Sequence, residues 1–242
     1  MAAGNFEKCH AVTGKWEGGW SDHKDDPGGK TMYGITLAKY REHYPSATGE
    51  SLKNISRNTA LRIYRSDYWD EIGGERLAPG VDLATYDAAV NSGVSRGTRW
   101  LAESVGGPDY ETVKKICAKR LGFMQSLAIW KTFGKGWSRR VADIEAKGVA
   151  WAMAAVTNAN VVKKSLEREA EAAKQKSTKQ VGTGGAVGGG GVIAGPEAAD
   201  QMAGLALAGF VVVVAVVAGL LIWRAHINKQ RAEAYAKEAA GQ

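Results

Sequence analysis

Cysteine, histidine and proline are all scarce in this chain of 242 residues, which holds two, four and five of them respectively. Cys9 and Cys117 make no disulfide framework. Each sits in an amphipathic stretch, so buried free thiols are expected. One bridge between them is the alternative, open only to a domain matured in an oxidising compartment. His10, His23, His43 and His226 are scattered and no Cys-x-x-Cys occurs, so neither a metal site nor a cofactor is expected. Strong runs of alternating apolar residues are missing as well, and helical patterns dominate the first 160 residues. No basic helix, arginine cluster or aromatic RNA-binding signature accompanies the net charge of +7, so nucleic acid is not an expected partner. The segment Met1 to Lys8 has no apolar core, and synthesis in the cytoplasm without a signal peptide is expected.

What the chain does have is an ordinary globular composition, 45% apolar and 24% charged, over about 160 residues before its character changes. That length suffices for a self-contained core. Residues 161 to 180 carry six Lys/Arg against three Glu, which leaves about +4 on the first 160. A mildly basic domain suits an anionic polymer, because attraction to a polyanion raises its local concentration.

The chemistry concentrates at Glu17-Gly18-Gly19-Trp20, followed by Asp25-Asp26-Pro27-Gly28-Gly29-Lys30-Thr31-Met32-Tyr33-Gly34. Phe6, Cys9, Val12 and Trp16 recur at helical spacing, so residues 5 to 16 read as a helix with one buried face. Gly18 and Gly19 then supply a left-handed stop. One glutamate thus stands at a helix end with a polar, glycine-rich loop returning beside it. Glycoside cleavage requires such a carboxyl, protonated to serve the leaving oxygen, and a second group to activate water or trap the sugar cation. Trp16 and Trp20 flank Glu17 and offer the apolar surroundings that keep a carboxyl protonated. Asp22, Asp25 and Asp26 all lie on the return loop; Asp26 is the candidate second carboxylate and Asp25 a candidate substrate contact, although Asp-Pro-Gly-Gly is also a plain turn. Thr31 is a candidate to hold the attacking water or to support the loop. Trp20 and Tyr33 are candidates for stacking on sugar rings, with core packing as the alternative. The Asn91-Ser92-Gly93 break is a candidate cleft wall or a simple helix cap.

These residues resemble the glycoside hydrolase 108 muramidases of phage and bacterial origin, and the similarity runs over roughly residues 1 to 160. Ile63 to Asp70 resembles that family's Tyr-Trp helix, and Leu77 to Asp82 with Tyr86 to Gly93 resembles the block after it. Arg120 to Leu127 with Phe133 to Arg140 is similar to the associated predicted peptidoglycan-binding region. The resemblance implies hydrolysis of the β-1,4 bond between N-acetylmuramic acid and N-acetylglucosamine, with Glu17 as the catalytic acid. The family's Asp-Pro-x-Asp-Pro-like loop reads Ser21-Asp22-His23-Lys24-Asp25-Asp26-Pro27 here.

Thr36 is expected to cap a helix over Leu37 to His43, and Asn58 one over Thr59 to Glu71. Further helices are expected at Leu83 to Asn91, Ser95 to Val105, Tyr110 to Ile129 and Lys135 to Ala146, with a short strand within Lys30 to Ile35. The expected fold is mainly α: a lysozyme-like helical globule made of a catalytic region, residues 1–80, packed with a peptidoglycan-binding region, 81–160. A charged stalk and a flexible Gly-rich linker follow over 161–201, with no fixed structure expected in 181–195. Met202 to Trp223 is 22 residues without a charge, long enough for one transmembrane helix. A polar tail, 224–242, ends the chain.

Arg224, Lys229, Arg231 and Lys237 follow the apolar segment, and no Lys or Arg occupies the 20 residues before it. The positive-inside rule therefore places the tail in the cytoplasm and the enzyme on the periplasmic side of an inner membrane. The expected partners are glycan strands of peptidoglycan, that membrane and a holin. An endolysin acting in lysis or wall remodelling is the first functional reading. A membrane-anchored, wall-binding or holin-like protein with a degenerate enzyme domain is the second.

Overall fold

The structure, a computed structural model, describes residues 4–22, 29–189 and 201–241, with side chains left out over 184–189 and 201–215. The chain divides into two compact units, Met1–Asn158 and Ala159–Gln242.

Among the described residues the regular structure of the first unit is helical apart from one small hairpin. Helix α1 (Phe6–Thr13) runs into a tight 3₁₀ turn, Gly14–Trp16. Strands β1 (Thr31–Met32) and β2 (Ile35–Thr36) pair antiparallel, Thr31 opposite Thr36. The single strand expected here is instead a hairpin, because Tyr33 and Gly34 both take positive φ, 53° and 77°. Two such residues give the turn whose twist matches its flanking strands. Thr36 then caps α2 (Leu37–His43), its hydroxyl accepting from the Lys39 N–H at 3.1 Å, as its sequence predicts. A short α3 (Gly49–Lys53) has no counterpart among the expectations. Helix α4 (Arg57–Tyr64) is capped by Ser56 rather than Asn58, and a wide π-type turn, Arg65–Asp70, extends it.

Helix α5 (Val81–Ser92) is the centre of the unit. Every residue from Val81 to Ala89 is buried, the mark of a helix packed on all sides. Glycines at its N-cap and on the helix that follows let neighbours approach. A Cβ on Gly80 would meet the Gly148 carbonyl at 2.0 Å, and one on Gly97 would meet the Ala89 nitrogen at 3.0 Å. Around α5 pack α6 (Val94–Ala102), α7 (Asp109–Gln125) and α8 (Trp130–Ala154). Helix α8 is much longer than the expected Lys135 to Ala146. Phe6, Trp69 and Tyr86 meet edge to face at 5.6–5.9 Å and tie α1 and the π-type turn to α5. Cys9 and Cys117 are both buried, and no disulfide joins them.

The second unit consists, among the described residues, of α9 (Ala159–Gly189) and α10 (Gln201–Ala239) packed on each other. The Ser177 hydroxyl donates to the Ala225 carbonyl at 2.9 Å, and Asn228 donates to Gln180 at 2.8 Å. Helix α9 carries on through Val181 to Gly189, which corrects the expected unstructured linker over that stretch. Extending an existing helix adds one hydrogen bond per residue fixed, so propagation tolerates glycines that would never nucleate a helix. The rest of the expected linker, residues 190–200, lies outside the described residues. Among the described residues no helix is long and apolar enough to cross a membrane. The span expected over Met202–Trp223 is helical within α10, but the side chains of 202–215 are not among those described.

Candidate active site

Glu17 follows the 3₁₀ turn in extended conformation, φ −87° and ψ 140°. Gly18 and Gly19 are not among the positive-φ residues, so they do not form the expected left-handed stop. The helix ends by tightening instead. The Glu17 N–H returns to the Gly14 carbonyl at 3.2 Å and satisfies one of the orphan acceptors of α1.

The Glu17 side chain is 20% exposed, and its two oxygens meet different partners. Oε1 accepts from Arg140 Nη2 at 2.8 Å. Oε2 lies against the hairpin turn: a Cβ on Gly34 would stand 2.7 Å from it and 2.5 Å from the Tyr64 hydroxyl. Glycine at 34 is therefore needed twice, for its positive φ and for the space Glu17 and Tyr64 fill. Tyr64 donates to the Tyr33 carbonyl at 2.8 Å, which pins the strained turn beside the carboxyl. Burial, and after it the Glu17 charge, push the Tyr64 hydroxyl far up, so it remains a donor.

Arg140 belongs to a buried chain of charges. Asp87 accepts from its Nη2 at 2.8 Å and its Nε at 3.1 Å, and also from Arg120 Nη1 at 2.5 Å. Arg120 Nη2 continues to Asn91 Oδ1 at 3.0 Å. Asp87 and Arg120 are fully buried. Burial alone would push Asp87 up, but the two guanidiniums outweigh it and hold the carboxyl below its ordinary value. Arg140 thus bridges the Asp87 and Glu17 carboxyls, and, anchored on Asp87, it fixes the Glu17 carboxyl in space.

Beside Glu17 opens a cleft of about 510 Å³, lined in part by His10, Lys15, Tyr33, Arg57 and Leu61. The His10 Nδ1 is 2.8 Å from the Tyr86 hydroxyl, and burial lowers its pKa, so a neutral imidazole faces the cleft near pH 7. Of the residues expected from sequence, the described lining brings together Glu17 and Tyr33. Thr31 is paired with Ser21 through both backbone hydrogen bonds at 2.9 Å, and its hydroxyl donates to the Gly29 carbonyl at 3.2 Å, a loop-supporting contact. The Trp20 ring lies 5.7 Å from the Lys53 ammonium, and Trp16 donates to Asp143 at 3.3 Å. Arg140 hydrogen-bonds the Glu17 carboxyl, and Gly34 packs against it. Asn91 ends the buried charge chain. Asp25 and Asp26 lie outside the described residues.

Residues 10–93 match the family profile described as Glycosyl hydrolase 108. Among solved structures, "Structure of Brucella abortus SagA" is similar at 31% identity and a TM-score of 0.56, covering 62% of this chain and 96% of that one. The chain belongs to the glycosyl hydrolase 108 family. No curated protein matches it. As a glycosyl hydrolase 108 member it is a glycoside hydrolase of the muramidase, lysozyme-like type. The profile spans both Glu17 and Asp87, whereas Arg140 and Arg120 lie beyond its end on α8 and α7. Sequence reading passed over Asp87, Arg120 and Arg140. A signal was there: Asp87 interrupts the apolar run Tyr86 to Val90, and a buried carboxylate demands a cation.

Proposed function

We propose that this glycosyl hydrolase 108 protein is a peptidoglycan hydrolase, an N-acetylmuramidase that cleaves the β-1,4 bond between N-acetylmuramic acid and N-acetylglucosamine with Glu17 as general acid. The observation that carries the reading is the Glu17 carboxyl, fixed by Arg140 and by the hairpin turn at the edge of an open cleft. Asp26 on the return loop is the second carboxylate in this reading, with Asp25 beside it. The Ser21–Thr31 bridge, together with the Lys30–Asp22 ion pair at 3.6 Å, closes the base of the loop that carries them. Thr31 supports that loop, Trp20 and Tyr33 offer sugar-stacking faces, and Asn91 acts through Arg120 rather than on substrate. Purified peptidoglycan digested by the full chain, then reduced with borohydride, should show muramic acid alcohols at the new ends by mass spectrometry. Glucosamine alcohols there would instead mean that the other glycosidic bond is cut.

The wider role in this reading is that of an endolysin, acting in lysis or wall remodelling at the inner membrane with a holin as partner. Support for membrane association comes from the apolar run Met202–Trp223 and from Val216, Val217, Leu220 and Ile222, each 41–56% exposed on α10. The positive charges after Trp223 favour a cytoplasmic tail and an enzyme facing the wall. Protease added to intact spheroplasts should then trim the catalytic unit and spare the tail; a cleaved tail with the catalytic unit intact would reverse the orientation.

A further inference from the structure

Two cations, Lys15 and Arg57, stand on the described lining of the cleft beside Glu17. Glu17, Lys15 and Arg57 are the charged side chains of its described lining. Glu17 is already answered by Arg140 at 2.8 Å. Lys15 and Arg57 are both exposed, and neither makes an ion pair among the described residues. They come from different elements. Lys15 sits on the 3₁₀ turn two residues before Glu17, and Arg57 opens α4. The Arg57 guanidinium lies 6.0 Å from the centre of the Tyr33 ring, so one cation stands next to an aromatic face in the same cleft. A neutral sugar polymer offers these cations nothing to pair with. A glycan bearing carboxylates does, and a guanidinium presents the forked donors that a carboxylate accepts.

We propose that Lys15 and Arg57 form a carboxylate-binding subsite of this cleft, which selects glycan strands whose substituents are acidic. It rests on the cleft being the substrate site, as argued above. In peptidoglycan the carboxylate belongs to the stem peptide, or to the lactyl ether once that peptide is removed. Two exposed cations at partly screened sites are worth about a 10-fold preference, which corresponds to about 1.4 kcal/mol.

The test is binding by the full chain carrying Glu17→Gln, with and without Lys15→Gln and Arg57→Gln, followed by calorimetry. The probes are soluble uncrosslinked strands with stem peptides, the same strands freed of peptide by an amidase, and both preparations with their carboxyls converted to amides. Adding the two substitutions should weaken binding about 10-fold on strands with free carboxyls and leave amidated strands unchanged. Loss confined to peptide-bearing strands assigns the stem peptide as the group read; loss confined to peptide-free strands assigns the lactyl carboxylate. Unaltered affinity for both free-carboxyl strands, or an equal loss on amidated ones, overturns the subsite. If no strand binds at all, the cleft is not the substrate site and both readings fall. If strands bind with this carboxylate dependence but wild type releases no muramic acid ends, the muramidase assignment alone fails.

Discussion

Glu17→Gln should lower peptidoglycan hydrolysis by about 10²-fold or more while the protein stays folded. The amide keeps the shape of the side chain and leaves an oxygen to accept from Arg140 at the 2.8 Å position, but it has no proton to give to a leaving sugar oxygen. Folding survives because Arg140 retains its bidentate pairing with Asp87 and is not left as a lone buried charge. Glu17→Asp makes the complementary point. It restores an acid but draws the carboxyl back by one methylene, away from Arg140 and the hairpin turn. Misplacement of about 1 Å costs on the order of 10²-fold where geometry carries the rate. The measurement is clearance of purified peptidoglycan by the full chain, with thermal unfolding as the control. A Glu17→Gln protein that clears the wall as fast as wild type removes Glu17 from the chemistry.

The sequence shows this site unevenly, for physical reasons. Glu17 was legible because its signals are local: helical periodicity before it, glycines and a polar return loop after it. Thr36 was legible for the same reason, since a cap is read from its own few residues. Arg140 and Asp87 were not, because they are 53 residues apart and Arg140 is 123 from Glu17. A pairing made across a core leaves no periodic trace. Glycine misled twice. The expected helices Tyr110 to Ile129 and Lys135 to Ala146 leave a gap that ends at Gly134, yet α8 begins before it, at Trp130; a Cβ there would stand 2.7 Å from the Trp130 ring, so the glycine makes room for an indole within a helix. Gly18 and Gly19 read as a left-handed stop, whereas the turn is closed upstream by Gly14.

Asp87→Asn should destabilise the first unit by about 3–5 kcal/mol, the range for removing one partner of a buried ion pair. In a unit of this size that is a fall in Tm of roughly 10 °C. The carboxylate lies fully buried between Arg120 and Arg140, and both guanidiniums stay buried when its charge is lost. Of the chain's eight tryptophans, seven lie before residue 159, so near-ultraviolet circular dichroism follows this unit. The pH dependence is what separates a charge effect from a packing effect. Asp87 is held below its ordinary value in the folded protein, chiefly by the two arginines working against burial. Its charge therefore contributes stability that is complete above the unfolded carboxyl pKa of about 3.9 and is lost as pH falls through the lower folded value. The gap in Tm between wild type and Asp87→Asn should be widest near pH 7 and narrow below about pH 4. Activity should fall along with stability, because Arg140 loses the anchor that holds its guanidinium on the Glu17 carboxyl. A gap as wide at pH 3 as at pH 7 would show that Asp87 matters for its shape, and that the charge chain reaching Glu17 does not hold the site.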